Sequence, residues 1–104
     1  MNIEAKSQLL AMDDVHFAEF LCQPVFIRTV TYHIVGKLVG VTKTDFVLKD
    51  AAWVADSGMF GAAVATGDFQ EVEPFPDGKT VMVNRSAYVD MVIVPKLTRE
   101  RKFR

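Results

Sequence analysis

The hydrophobic pattern divides this chain into one helical segment and a series of strands. From Asp13 onward the apolar residues follow helical spacing, with Phe17, Phe20 and Leu21 at i, i+3 and i+4 on one face. Asp13 or Asp14 can cap the N-terminus, its carboxylate accepting an orphan backbone N–H. Pro24 predicts a stop near Cys22, because the residue before a proline disfavours helical backbone. An N-terminal helix is therefore expected over about residues 13–22.

After Pro24 the reading changes to strand and turn. Residues 25–30 are β-branched and aromatic. Residues 31–33 read as a turn, and residues 34–42 as a second strand. Its alternation places Val35, Lys37, Val39 and Val41 on one side and Ile34, Gly36, Leu38 and Gly40 on the other. Two glycines on one face predict strong bending or close backbone approach. Lys43 and Thr44 form a short turn into a third strand over residues 45–54, where Phe46, Leu48 and Asp50 alternate against Val47 and Lys49. Residues 80–84 and 87–94 are two more strands, broken by Asn84-Arg85-Ser86 and closed by Pro95. Between the third strand and these lies a long connection, residues 55–78, punctuated by Gly58, Gly61 and Gly67. A loop, a short helix and a strand extension all fit it. Pro76-Asp77-Gly78-Lys79 is a turn signal, since proline presets φ and glycine supplies a positive one.

The expected fold class is mostly β: an N-terminal helix followed by a five-stranded, strongly bent small barrel, one domain over residues 1–104. A hydrophobic share of 50% argues against disorder of the whole chain. No apolar run is long enough for a membrane span, and the first residues do not read as a signal peptide. Cytoplasmic localisation is the expectation. Cys22 sits in an apolar run and is expected to be small and buried.

Charge changes the picture in one place. The net charge is −1, but residues 96–104 carry five basic residues and one acid, for +4. The other 95 residues stand at −5. A basic tail is a candidate for phosphate contacts, while the acidic body is not. His16 and His33, without a cysteine cluster, do not suggest a metal site. No phosphate loop, nucleophile–base pair or carboxylate pair stands out, so neither an enzyme nor a cofactor is expected.

Two segments carry a family resemblance. Gly36-Lys37-Leu38-Val39-Gly40, followed by Val47-Leu48-Lys49-Asp50-Ala51, resembles the first motif of the Sm-like (LSm) family. Residues 81–89, with Asn84-Arg85-Ser86 at the turn, resemble its second. The resemblance spans residues 20–94 and allows a viral or bacterial origin. It implies a homo-oligomeric ring, built by pairing the fourth strand of one copy with the fifth of the next, and a single-stranded RNA partner. Val81, Val83, Val89, Met91 and Ile93 are the implied interface residues. Lys43, Asp45, Asn84 and Arg85 are the implied pocket residues, with Arg99, Arg101 and Lys102 adding phosphate contacts from the tail.

The pocket departs from the family pattern. Lys43 stands where an aromatic would stack on a base, Asp45 where an Asn would read its edge, and Ser86 where glycine follows the arginine. An ionised Asp accepts hydrogen bonds but offers no amide N–H. Arg85 could alternatively pair with Asp45 or Asp50. A structural or adaptor protein that keeps the barrel and ring but not RNA, for example a viral accessory component, is the competing expectation.

Overall fold

The computed structural model describes residues 17–100. Of the expected N-terminal helix, Phe17 and Ala18 are helical and residues 19–22 form a turn; the rest lies outside the described residues. Six strands follow: β1 (Pro24–Thr29), β2 (His33–Val41), β3 (Asp45–Asp56), β4 (Glu71–Pro74), β5 (Val81–Asn84) and β6 (Tyr88–Ile93). A helix, α1 (Phe60–Thr66), separates β3 from β4, and a 3-10 turn (Arg85–Ala87) joins β5 to β6. The 55–78 connection thus contains both a short helix and a strand.

All pairings are antiparallel, in the order β4-β3-β2-β1-β6, with β5 also on β3. Six strands appear where five were expected. β5 pairs with residues 45–48 of β3, and β4 with residues 52–56. β5 and β6 do not pair with each other. The sheet curls without closing, so the expected closed barrel is corrected to a bent, open one.

The bend has a local cause. Lys37 pairs with Lys49 and Val35 with Ala52, so Gly36 alone faces both Asp50 and Ala51. This is a β-bulge, which turns a strand and increases its twist. Asp50 takes a left-handed conformation, φ 51°, to make it. A Cβ on Gly36 would lie 3.1 Å from the Ala51 Cβ and 3.2 Å from its Cα. Close approach therefore requires glycine here, as the strand pattern predicted. Gly40 is under no such pressure, since the nearest atom to its Cβ position is at 3.7 Å.

The sheet is buried on both faces. Val25, Ile27, Ile34, Leu38, Phe46, Leu48, Ala51 and Val83 fill the concave interior, under Phe17. Phe26, Val35, Ala52 and Val54 point the other way, into a second core completed by Ala63 of α1, Phe69, Val72 and Val94. Phe26 stacks on Phe69 with ring centroids 4.9 Å apart. The second core exists because residues 57–70 fold over the back of the sheet. It also explains why β1 buries consecutive residues, Val25, Phe26 and Ile27, instead of alternating. Cys22 was expected in a core, but it is exposed with φ 65°, its N–H donating to the Leu38 carbonyl at 2.7 Å.

Candidate functional site

One end of the open barrel gathers the loop between β2 and β3 and the 3-10 turn after β5. A cleft of about 470 Å³ lies there, lined by Phe17, Leu21, Val39, Gly40, Val41, Thr42, Lys43 and Arg85. The loop is folded by its own threonine. Thr42 Oγ1 accepts from the N–H groups of Thr44 and Asp45, at 3.2 and 2.9 Å. The Thr42 N–H donates to the Asp45 carbonyl at 2.8 Å. This threonine-centred turn fixes where Lys43 stands.

Arg85 joins the turn to this loop. Its backbone N–H donates to the Thr44 carbonyl at 2.8 Å, and its Nη1 to the Thr42 carbonyl at 2.5 Å. The guanidinium carbon lies 4.9 Å from the centre of the Phe17 ring and 5.9 Å from that of Phe46. It pairs with neither Asp45 nor Asp50. A guanidinium anchored by one carbonyl and two rings retains further N–H donors, and Arg85 lines the cleft.

The other implied pocket residues are close by in the fold. Asp45 and Asn84 are cross-strand partners at the end of β3 and β5. The Asp45 carboxylate accepts from Thr44 Oγ1 at 2.7 Å. The Asn84 Oδ1 accepts from the Ser86 N–H and Oγ, at 2.8 and 2.7 Å, and so caps the 3-10 turn. Ser86 needs no glycine freedom, because the turn contains no positive φ. Lys43 is exposed on the rim.

Arg99 is not brought to this site. Its guanidinium donates to the Ala51 carbonyl at 3.2 Å, the Phe75 carbonyl at 3.3 Å and Asp77 Oδ1 at 2.6 Å. Lys96 pairs with Asp68 at 2.6 Å. The first half of the basic tail is therefore attached to the body. Arg101 and Lys102 lie outside the described residues.

The implied interface residues differ in burial. Val83 is buried in the concave core, and Val81 and Met91 pack against it. The exposed apolar side chains of β5 and β6 are Met82, 57% exposed, Val89, 63%, and Ile93, 41%. Met82 was not among the implied interface residues; it is exposed because its neighbours Val81 and Val83 pair with Leu48 and Phe46 over the concave core.

A second polar cluster escaped the sequence reading. Arg28 of β1 and Asp90 of β6 are register partners and form a two-pronged ion pair, Arg28 Nε reaching both carboxylate oxygens at 2.9 and 3.1 Å and Nη2 closing on one of them. Hydrogen bonds from Arg28, and then its charge, hold the Asp90 carboxyl below its usual range, with His33 adding a weaker pull and partial burial opposing. The same guanidinium lies 4.2 Å from the Phe60 ring centre. It thereby ties α1 to β6. Nothing in residue spacing could announce a pair 62 positions apart.

Among the described residues no group of His, Cys, Asp and Glu could hold a metal ion, and no helix is long and apolar enough to cross a membrane.

No family model matches this chain, and no curated protein sequence does. Similarity is found in shape. A heptameric archaeal Sm protein superposes with a TM-score of 0.56 at 16% identity, covering 78% of this chain and 98% of that one. The SmAP1 heptamer of P. aerophilum gives a TM-score of 0.59 at 15% identity, covering 82% of this chain and 96% of that one. At such identities the likeness establishes the fold: this chain has the Sm fold.

Proposed function

We propose that copies of this chain assemble into a ring through β5 and β6, and that the ring binds single-stranded RNA at the end where Arg85 stands. The observation that carries the ring is the pair of unmatched strand edges. β5 pairs on one side only, with β3, and β6 on one side only, with β1. Both present apolar side chains to solvent, Met82 on one and Val89 and Ile93 on the other. Exposed apolar edges are a liability that pairing removes. Two different edges on one molecule pair head to tail, and such contacts close into rings when the rotation allows. The structurally similar archaeal Sm proteins are heptamers.

RNA is supported by Arg85, whose guanidinium lies along a cleft of nucleotide size. Arginine planes stack on unpaired bases, and Lys43 on the rim can meet a phosphate. The reading assigns the chain no catalytic step. It fits an RNA chaperone or another role in RNA metabolism, in the cytoplasm.

One observation favours the alternative, an adaptor ring without RNA. The polar groups at this end satisfy one another: Asn84 caps the turn, Asp45 holds Thr44, and Arg85 holds Thr42. Titration of labelled oligo-U and oligo-A at two salt concentrations separates the two. RNA binding at this site predicts affinity at low salt that falls as salt rises and falls again in Arg85→Ala. An absence of binding at low salt leaves the adaptor. Sedimentation at tens of micromolar tests the shared premise, and a strict monomer would sink both.

A further inference from the structure

β3 and β4 place Trp53 beside Glu73, its register partner, with Glu71 two residues along the same strand. Ala52, Val54 and Val72 belong to the outer core, so by strand alternation Trp53, Glu71 and Glu73 share the opposite side of these two strands. A shallow groove of about 180 Å³ opens there, lined by Trp53, Glu73, Pro74, Phe75 and Pro76. Trp53 is 45% exposed. Among the described residues its ring has no aromatic or cationic partner, and the carboxylates of Glu71 and Glu73 have no hydrogen bond or ion pair.

The groove does not invite another strand. β4 ends the sheet, but it is four residues long, carries two glutamates and finishes on Pro74, features that blunt an edge. Recognition has to come from a side chain entering the groove. The chain shows twice which side chain such surroundings hold. Arg28 lies 4.2 Å from the Phe60 ring centre while paired with Asp90. Beside the groove itself, Arg99 donates to the Phe75 carbonyl and to Asp77. Trp53 with Glu73 is the same combination of ring and carboxylate, without its guanidinium. An indole face is the best side-chain platform for a cation, and a carboxylate accepts two arginine N–H groups at once. Phosphates are repelled by the same two glutamates, which separates this groove from the Arg85 end.

We propose that this groove binds an arginine side chain of a partner protein segment, its guanidinium stacked on Trp53 and bonded to the Glu73 carboxylate. The methylenes of that arginine pack on Phe75 and the prolines, and Glu71 draws a neighbouring cation of the same segment. This inference does not depend on the ring or on RNA binding at Arg85.

Trp53 is the chain's one tryptophan, so its fluorescence reports on the groove. The full chain is titrated with a synthetic Gly-Ser-Arg-Gly-Arg-Ser-Gly peptide, capped at both ends, and with the same peptide carrying citrulline, which keeps arginine's planar head without its charge. The arginine peptide is expected to move Trp53 emission saturably, and the citrulline peptide to leave it in place. Affinity is read from the anisotropy of a fluorescein-labelled arginine peptide. It should fall about fivefold in Trp53→Ala and in Glu73→Gln, the loss of one exposed cation–π contact or ion pair. Glu73 is exposed, so its variant tests the groove even if Trp53→Ala disturbs the fold. Equal binding of the two peptides, no binding of either, or unchanged affinity in Glu73→Gln would overturn the proposal. So would emission moved by oligo-U and not by the arginine peptide, which would make the groove an RNA contact. Emission that changes on dilution of the chain alone would also overturn it, by placing a second copy in the groove.

Discussion

The two cores of this protein differ in how they are made. The concave core is a product of strand register: Phe46, Leu48, Leu38 and Val83 meet because alternate residues of paired strands face one another. The outer core is a product of an insertion, with Ala63, Phe69 and Val72 laid over the backs of β1, β2 and β3. β1 belongs to both. One therefore depends on sheet pairing and the other on a covering segment, and damage to them should spread differently.

Phe46→Ala is expected to have the largest effect, about 3–5 kcal/mol in urea unfolding. Phe46 is fully buried and meets Phe17 and Tyr88 edge-on at 5.3 and 4.9 Å. Its loss should also reduce amide protection along β5. Phe69→Ala should fall toward the lower end of the range, about 3 kcal/mol, with protection lost in α1 and β4 while β5 keeps its own. Equal loss of β5 protection in both variants would break the distinction and make the protein a single core.

Gly36→Ala tests the hinge between the halves of β3. A Cβ there meets the Ala51 Cβ and backbone too closely, and overpacking of this kind costs about 1–3 kcal/mol. A neutral result in chemical denaturation would show that the bulge can relax.

Asp90→Asn probes the tie between α1 and β6. The Asp90 carboxyl is held below its ordinary range by Arg28. Its stabilising contribution is thus present above the pKa of the unfolded chain and lost as pH falls through the lower folded value. Both partners are about a third exposed or more, so the contribution near neutrality is at most about 1 kcal/mol. The variant should lose that much at pH 7 and show a shallower stability decline below pH about 4. The smallest effect belongs to Asp50→Gly, which removes left-handed strain at φ 51° and should gain up to about 1 kcal/mol in thermal unfolding.

The same contrast explains what could be read from the residues. The concave core was legible because period-two alternation at Phe46 and Leu48, and the glycine at position 36, are local signals. Alternation failed at Asp50, where the bulge shifts the phase, so that Ala51 instead of Asp50 follows Phe46 and Leu48 into the concave core and Ala52 faces the outer one. The outer core was not legible, since Ala62-Ala63-Val64-Ala65 has no period to separate a loop from a helix. The candidate site was half legible. The Asn84-Arg85-Ser86 break marked the turn, but Arg85's anchorage on Thr42 and Phe17 depends on contacts far apart in sequence. Arg99 looked like a free tail cation because its partners, Ala51, Phe75 and Asp77, lie 22 to 48 positions away.

The 3-10 turn between β5 and β6 is only three residues long, clasped internally by Asn84 and bolted to the neighbouring loop through Arg85. It sets the angle between the two outward edges of one molecule. In a head-to-tail assembly each copy is a wedge, and the wedge angle counts the members of the ring. Loosening the clasp, as in Asn84→Ala, should therefore leave the subunit folded and blur the count, giving a spread of ring masses in place of one.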